Sequence, residues 1–250
     1  MDTELLKKRL RELDHMVYQR DIPANTGFLT PEEQDVFLRM QKELKGCRNL
    51  LWGGFETAER KAAFFLPSYA DEEKSSIPLS WLKIEPVNER FADELTHRDY
   101  LGALMSLGIE RDRTGDIVIN GKTALVVCLP EMAEYLCENL TSVRHTKVTC
   151  TETELPEALA APTIEEVTGS VASPRLDAVA GFAFHMARGV IQDAVKAGYV
   201  YVNGRQVTSP GTELKEQDLV SVRHRGKFIY YGVIGKSKKD RAIVRLGLYR

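Results

Sequence analysis

Three polar side chains recur at every fourth position in the C-terminal third of the chain: Arg188, Gln192 and Lys196. In an α-helix, positions i, i+4 and i+8 lie on one face, so these residues would form a stripe about 12 Å long at a rise of ~1.5 Å per residue. An Arg guanidinium can bridge phosphate oxygens, a Lys ammonium acts as a point charge, and a Gln amide can reach a 2′-hydroxyl or a base edge. The spacing therefore predicts a surface that binds structured RNA.

Two short helices would carry this stripe. Apolar spacing predicts a helix from Arg175 to about Phe184 and a second from about Ala187 to Ala197, ended by Gly198. The buried side of the second helix is predicted to consist of Val190, Ile191, Ala194 and Val195. Arg188, Gln192 and Lys196 would then lie on another face of the same helix.

Strands are predicted to follow the second helix. The segment 199–202 ends in an Asn203-Gly204 turn, which is typical of a β-hairpin. A second strand pair is predicted at 218–222 and 228–233, and the loop between them, Arg223 to Lys227, is strongly basic. The alternative is that the charges of this loop are only solvated and bind no partner. The residues predicted to contact RNA are Arg175, Arg188, Gln192, Lys196, Asn203, Arg205, Arg223, Arg225 and Lys227.

Charge is distributed unevenly along the chain. Residues 174–250 carry 14 Lys and Arg against 6 Asp and Glu, a charge of +8. Residues 1–173 hold the other 20 of the 34 basic and 30 of the 36 acidic residues, a charge of −10. A basic module on an acidic body is typical of proteins in which one module binds nucleic acid.

The middle of the chain, 79–150, has the order strand, helix, strand, strand, helix, strand. The elements are predicted at 79–86, about 97–107, either side of an Asn120-Gly121 turn within 116–128, 130–140, and 146–150. This order predicts a ferredoxin-like sandwich. RNA-reading sheets of this kind present aromatic residues on their central strands, and these strands offer only aliphatic ones there, namely Val118, Ile119, Leu125 and Val126. We therefore expect no base stacking on this sheet.

The remaining segments lack a recognisable chemistry. Residues 1–45 are predicted to form two helices, the second beginning with Thr30 as N-cap and Pro31 as first helical residue. Residues 151–173 contain five Glu and no Lys or Arg, which predicts an acidic linker with a candidate short strand at 167–171. The predicted divisions are 1–78, an N-terminal helical region with a connecting segment; 79–150, the ferredoxin-like domain; 151–173, the linker; and 174–250, the basic module.

Sequence patterns for catalysis, metals and membranes are lacking. The four cysteines form no C-x-x-C pair, and neither Gly53-Gly54 nor Gly121-Lys122-Thr123 completes a phosphate-binding loop. His97 and Asp99 could suggest acid–base chemistry, but no nucleophile or second carboxylate supports them, and a helix cap is the simpler explanation. We expect no catalytic residue, no metal and no cofactor. The sequence has no apolar span or signal peptide, so a cytoplasmic location without a membrane partner is expected.

The C-terminal motifs resemble a known RNA-binding domain. The runs R-L-D from Arg175, A-R-x-x-x-Q-x-x-V-K-A-G-x-V-x-V-N-G from Ala187, and L-K-E-Q-D-L-V-S-V-R from Leu214 resemble the S4 domain, the αL motif. One departure is Gly189, where many members carry Ser. The expected fold class is therefore α+β, with a helical N-terminus, a ferredoxin-like (RRM-like) middle domain and a C-terminal S4 domain.

Four upstream motifs narrow the resemblance to the YlmH family of S4-domain proteins. They are W-G-G-F from Trp52, A-E-R from Ala58, H-R-D-Y-L-G-A-L from His97 and T-G-D-I from Thr114. The resemblance implies a non-enzymatic factor that binds ribosomal RNA on the large ribosomal subunit, in ribosome-associated quality control of stalled peptidyl-tRNA complexes. Transfer RNA is a further candidate partner, and a monomer is expected.

Two other functions stay open at this point. A protein–protein adaptor in cell division would use the acidic body as its partner surface. An RNA-modifying enzyme would need a nucleophilic Asp on a larger mixed sheet than residues 79–150 can build.

Overall fold

The computed structural model describes residues 2–70, 77–155 and 164–249. They divide into two compact units, Met1–Ala160 and Ala161–Arg250. Within the described ranges, no helix is long and apolar enough to cross a membrane.

The first unit begins with helices and strands that alternate. The elements are α1 (Thr3–Arg20), β1 (Ala24–Leu29), α2 (Pro31–Met40), β2 (Arg48–Trp52) and β3 (Lys61–Leu66). Asp2 accepts a hydrogen bond from the Glu4 amide at the start of α1, and Thr30 and Glu33 form a capping box on α2. Both helices predicted for 1–45 are present.

A three-stranded sheet accompanies these helices, and it was missing from the helical N-terminal region predicted for 1–78. Its strand order is β1-β3-β2, antiparallel throughout. The strand β1 has the sequence A-N-T-G-F-L. Its polar residues and glycine interrupt the alternation of apolar and polar residues that predicts a strand. Its partner β3 lies more than thirty residues away, so the pairing depends on tertiary contacts.

The predicted ferredoxin-like order of the middle segment is confirmed. The elements are β4 (Ser80–Pro86), α3 (His97–Ser106), β5 (Thr114–Asn120), β6 (Thr123–Cys128), α4 (Ala133–Asn139), β7 (Ser142–Val143) and β8 (Thr146–Thr153). The strand order is β5-β6-β4-β8-β7, and each neighbouring pair is antiparallel. The first four strands have the ferredoxin-like arrangement, and β7 adds a short hairpin at the β8 edge.

Both faces of this sheet are covered. On one face, Leu82 and Ile84 pack against Tyr100 and Leu104 of α3 and against α4. On the other face, Trp81 and Val127 pack against Phe28 and Phe55 from the N-terminal segment, with the Phe55 and Trp81 ring centroids 5.5 Å apart. Because this apolar contact crosses residue 78, the predicted regions 1–78 and 79–150 form one unit rather than two.

The second unit is a six-stranded sheet covered by two helices. Its elements are β9 (Ile164–Val171), α5 (Leu176–Ala183), α6 (Arg188–Lys196), β10 (Val200–Val202), β11 (Arg205–Gln206), β12 (Asp218–Val222), β13 (Gly226–Lys236) and β14 (Ala242–Tyr249). The strand order is β11-β10-β12-β13-β14-β9. The two helices and the strands predicted between 199 and 233 are present, and β14 completes a pairing that the sequence had not predicted.

Parts of the predicted acidic linker, 151–173, form strands. Residues 151–153 end β8, and β9 pairs with β14 along its whole length, from Ile164 opposite Tyr249 to Val171 opposite Ala242. Residues 156–163 lie outside the described ranges. The strand β9 is an edge strand of this sheet, and its Glu165 and Glu166 are exposed. This position explains why its composition resembles that of a linker.

Helices α5 and α6 bury one side each against the sheet. Leu176 and Val179 of α5 and Ile191 and Val195 of α6 belong to one core, which also contains Val220, Phe228, Val244 and Leu246. Val190, predicted to be buried, has 45% of its surface exposed. The buried side of α6 is centred on Ile191 and Val195, one turn apart, and Val190 lies at its margin.

Candidate nucleic-acid interface

A buried carboxylate organises the start of the predicted stripe. The Asp177 side chain has 0% exposure, and its Oδ2 accepts hydrogen bonds of 2.8 Å from Arg188 Nη2 and 2.8 Å from Gln192 Nε2. Arg175 Nε lies 4.0 Å from the other oxygen, Oδ1. Two residues of α6 are therefore fixed by one residue of α5. Asp177 belongs to the R-L-D run that begins at Arg175, and the sequence alone predicted no role for it.

The charges around Asp177 keep it ionised. Burial by itself would raise the pKa of this carboxyl. The hydrogen bonds from Gln192 and Arg188 and the positive charges of Arg188 and Arg175 outweigh burial and hold the pKa below its ordinary value. The Arg188 side chain remains 46% exposed, so its guanidinium is both anchored and open to solvent. An anchored and exposed guanidinium is suited to binding a phosphate oxygen.

A loop before β12 holds the start of α5. The amide of Leu176 donates to the Thr212 carbonyl over 2.8 Å, and the amide of Asp177 donates to the Pro210 carbonyl over 3.1 Å. A Cβ added at Gly211 would lie 2.5 Å from Arg175 Nη2. Glycine at this position therefore lets the loop approach the Arg175 guanidinium closely.

The stripe continues to Lys196, in a different environment. The Lys196 side chain is 73% exposed, and its Nζ lies 3.7 Å from Oδ1 of Asp193, which is also exposed. Such a surface pair has a small energy and leaves the ammonium mobile. The stripe thus has an anchored part, Arg188 and Gln192, and a solvated part, Lys196.

The basic loop predicted at 223–227 is joined to the end of α6 through an aromatic ring. The guanidinium of Arg223 lies 5.7 Å from the centroid of the Tyr199 ring, and His224 contacts the same ring edge-on. The Arg223 amide donates to the Tyr199 carbonyl over 2.9 Å. Arg225 is exposed and Lys227 is half-buried at the start of β13. Tyr199, which is itself exposed, adds a ring beside these cations.

The hairpin residues Asn203 and Arg205 lie apart from this cluster, between β10 and β11. Asn203 has a φ of 53° in the turn; its Nδ2 donates to Asp218 over 2.8 Å, and its Oδ1 accepts from the Leu219 amide over 2.9 Å. These bonds use both ends of the amide within the domain. Arg205 is exposed at the start of β11.

One cation that the sequence did not single out joins the site. Arg241 precedes β14, and its Nη2 donates to the Ser170 carbonyl over 3.1 Å. Arg241 and Arg188 line the same shallow depression, together with Phe182 and Met186. The sequence signal for Arg241 was its position in a basic run, residues 236–241, near the C-terminus.

The upstream family motifs have structural roles. The Asp116 carboxylate accepts hydrogen bonds from the amides of Glu59, at 2.6 Å, and Arg60, at 3.0 Å, while Arg60 Nη2 donates to the Phe28 carbonyl over 2.7 Å. Burial, together with the nearby charge of Arg60, lowers the pKa of Arg111 to about 10 against the opposing charge of Asp116. These contacts join the N-terminal segment to the middle sheet.

Of the two residues considered for acid–base chemistry, Asp99 takes part in a helix cap. The Asp99 carboxylate accepts hydrogen bonds from the Thr96 amide, at 2.8 Å, and from the Thr96 hydroxyl, at 2.7 Å, at the start of α3. Across the described ranges, no group of three or more His, Cys, Asp or Glu side chains is placed to hold a metal ion.

Two family models match separate parts of the chain. Residues 76–157 match the family model described as "Putative RNA-binding domain in YlmH", and residues 175–220 match the S4 domain. A relative from Bacillus subtilis (strain 168), named "Ribosome-associated protein quality control protein P2", is 32% identical over 220 residues, which cover 86% of this chain and 83% of the relative. A solved structure, "Cell division protein ylmH from Streptococcus pneumoniae", aligns with a TM-score of 0.49 and 22% identity over 61% of this chain and 92% of that chain.

The length and identity of the match to the Bacillus subtilis protein, and the position of the two domain matches, confirm the resemblance drawn from the motifs. The chain is a member of the YlmH family of S4-domain proteins.

Proposed function

We propose that this protein is a non-enzymatic factor that binds ribosomal RNA on the large ribosomal subunit through its S4 domain. It acts as a cytoplasmic monomer in quality control of stalled peptidyl-tRNA complexes, with tRNA as a second RNA partner. The observation that carries the RNA-binding part is the exposed guanidinium of Arg188, anchored on the buried carboxylate of Asp177. The name of the Bacillus subtilis relative supports the ribosomal part.

The anchored pair would act through pre-organisation. Arg188 is held by Asp177 before RNA arrives, so less side-chain entropy is lost when a phosphate binds. Gln192 donates its Nε2 to the same carboxylate, which leaves its Oε1 as an acceptor for a 2′-hydroxyl. Lys196 would contribute a mobile charge along the same helix.

The covered sheet of the middle segment supports the assignment of docking to the S4 domain. RNA-reading sheets of ferredoxin-like domains stack bases on an open face. Here that face packs against Phe28 and Phe55. Any RNA contact of residues 76–157 would therefore use loops, edges or helices rather than the central strands.

The test is co-sedimentation of Arg188→Ala with purified large ribosomal subunits across a series of salt concentrations. We expect the affinity to fall by about tenfold. The slope of the logarithm of the binding constant against the logarithm of the salt concentration should decrease in magnitude by about 1, the value for one lost phosphate contact. Arg9→Ala is the matched control, because Arg9 is exposed on α1 and the variant loses the same charge. Binding equal to wild type at every salt concentration would refute the role of Arg188.

A further inference from the structure

The hairpin formed by β13 and β14 extends beyond its neighbour β12. Pairing between β12 and β13 runs from Val222 opposite Gly226 to Asp218 opposite Tyr230. The strand β13 then continues for residues 231–236, paired with β14. At ~3.3 Å per residue, this extension is about 20 Å long. The hairpin end is therefore well separated from the 223–227 loop at the other end of β13.

The tip of this hairpin is basic and has a defined turn. The amide of Ser237 donates to the Arg241 carbonyl over 2.8 Å, and the amide of Asp240 donates to the Ser237 carbonyl over 2.9 Å. Lys236 Nζ lies 2.8 Å from Asp240 Oδ1. Four cations, Lys236, Lys238, Lys239 and Arg241, thus accompany one carboxylate within six residues, and all four are exposed.

The tip is continuous with the cationic surface of the S4 helices. Arg241 closes the turn and shares a depression with Arg188, the first residue of α6. The register of β14 places Ala242 opposite Val171, four residues before Arg175. The tip cations therefore flank the start of the S4 helices, although the S4 match itself ends at residue 220.

We propose that the tip, residues 236–241, is a second RNA contact, which binds the phosphate backbone of the same RNA that Arg188 binds. This inference rests on the proposed function and extends its surface beyond the residues that match the S4 domain. Lysines on a turn act as point charges that suit phosphates and read no sequence. The contact would strengthen binding without changing which bases are preferred.

The partner is assigned from charge. A tip with four cations and one carboxylate complements a polyanion, and its Arg241 lines the same depression as Arg188. Val233 and Ile234 are exposed on β13 below the tip and offer a protein partner an apolar edge instead. A protein docked there would depend on these two side chains and little on salt.

The test compares Lys238→Ala/Lys239→Ala with Lys42→Ala/Lys45→Ala, which removes two exposed charges from the first unit. Binding to purified large ribosomal subunits is measured across a KCl series. We expect the tip variant to weaken binding by about tenfold and to reduce the salt slope by 1 to 2, about one per lost contact, and the control to match wild type. Lys238→Arg/Lys239→Arg should keep wild-type binding, because the charge is retained. All variants should unfold at the wild-type temperature, because Lys238 and Lys239 are exposed in the turn and Lys42 and Lys45 are exposed in the first unit.

The outcomes separate this inference from the proposed function. A wild-type salt slope for the tip variant, with a reduced slope for Arg188→Ala, would overturn the tip contact and leave the S4 contact in place. Wild-type slopes for both would overturn both. Loss of binding on Val233→Ser/Ile234→Ser, with no effect of the lysine variant, would assign the hairpin to a protein partner and overturn the RNA contact.

Discussion

Arg188 Nη2 donates a 2.8 Å hydrogen bond to the buried Oδ2 of Asp177, across the two helices of the S4 domain. A half-exposed cation is thus oriented by a carboxylate that is buried from solvent. The same carboxylate also accepts a hydrogen bond from Gln192, so one buried side chain of α5 holds two polar side chains of α6.

The first prediction concerns Asp177→Asn. The variant removes the charge that faces Arg188 and Arg175, so the free energy of unfolding should fall by about 1 to 2 kcal/mol; Arg188 is half exposed, which keeps the value in the lower part of the range for charged hydrogen bonds. Urea unfolding measures this change. Asp193→Asn, at an exposed position of α6, is the control and should change stability little. Equal stability of Asp177→Asn and wild type would contradict an anchoring role.

The second prediction is the pH dependence of that difference. The pKa of Asp177 is lower in the folded protein than its ordinary value of about 3.9, so the folded state releases the proton more readily than the unfolded state. The stability from Asp177 is then fully present above about pH 4 to 5 and is lost as the pH falls through the folded pKa. The gap between wild type and Asp177→Asn should stay constant near neutral pH and shrink in acid. If the difference in the free energy of unfolding between wild type and Asp177→Asn widened as the pH fell, a lowered pKa of Asp177 in the folded protein would be contradicted.

The third prediction uses two glycines of the middle segment. Gly102 lies inside α3 with nothing within 4 Å of an added Cβ, so Gly102→Ala should stabilise the protein by about 0.5 to 1 kcal/mol. Gly115 is the opposite case, because its Cβ would lie 2.6 Å from the Phe28 ring. Gly115→Ala should therefore destabilise by about 1 to 3 kcal/mol. Thermal unfolding of both variants measures these two changes. A shift of both unfolding temperatures in the same direction would be inconsistent with these contacts.

Some features followed from the sequence because local chemistry specifies them. The Thr30 cap, the Gly198 stop and the Asn203-Gly204 turn depend on neighbours within a few residues, and the structure has all three. The strand and helix order of 79–150 also follows from local periodicity, and that order has one common antiparallel arrangement. The position of Arg188, Gln192 and Lys196 on α6 follows from the helical repeat alone.

Tertiary structure decided which of these residues lie close together. Asp177 and Arg188 are eleven positions apart on different helices, and Arg241, which lies beyond the end of the S4 match, lines the same depression as Arg188. The strands β1 and β9 have little local strand signal and form because β3 and β14 supply their hydrogen-bond partners. Contacts between distant segments are set by packing and long-range pairing, for which a short window of sequence carries no pattern. The composition of the chain therefore determined that a basic module exists, and the packing of α5, α6 and the β13–β14 hairpin determined where its charges meet.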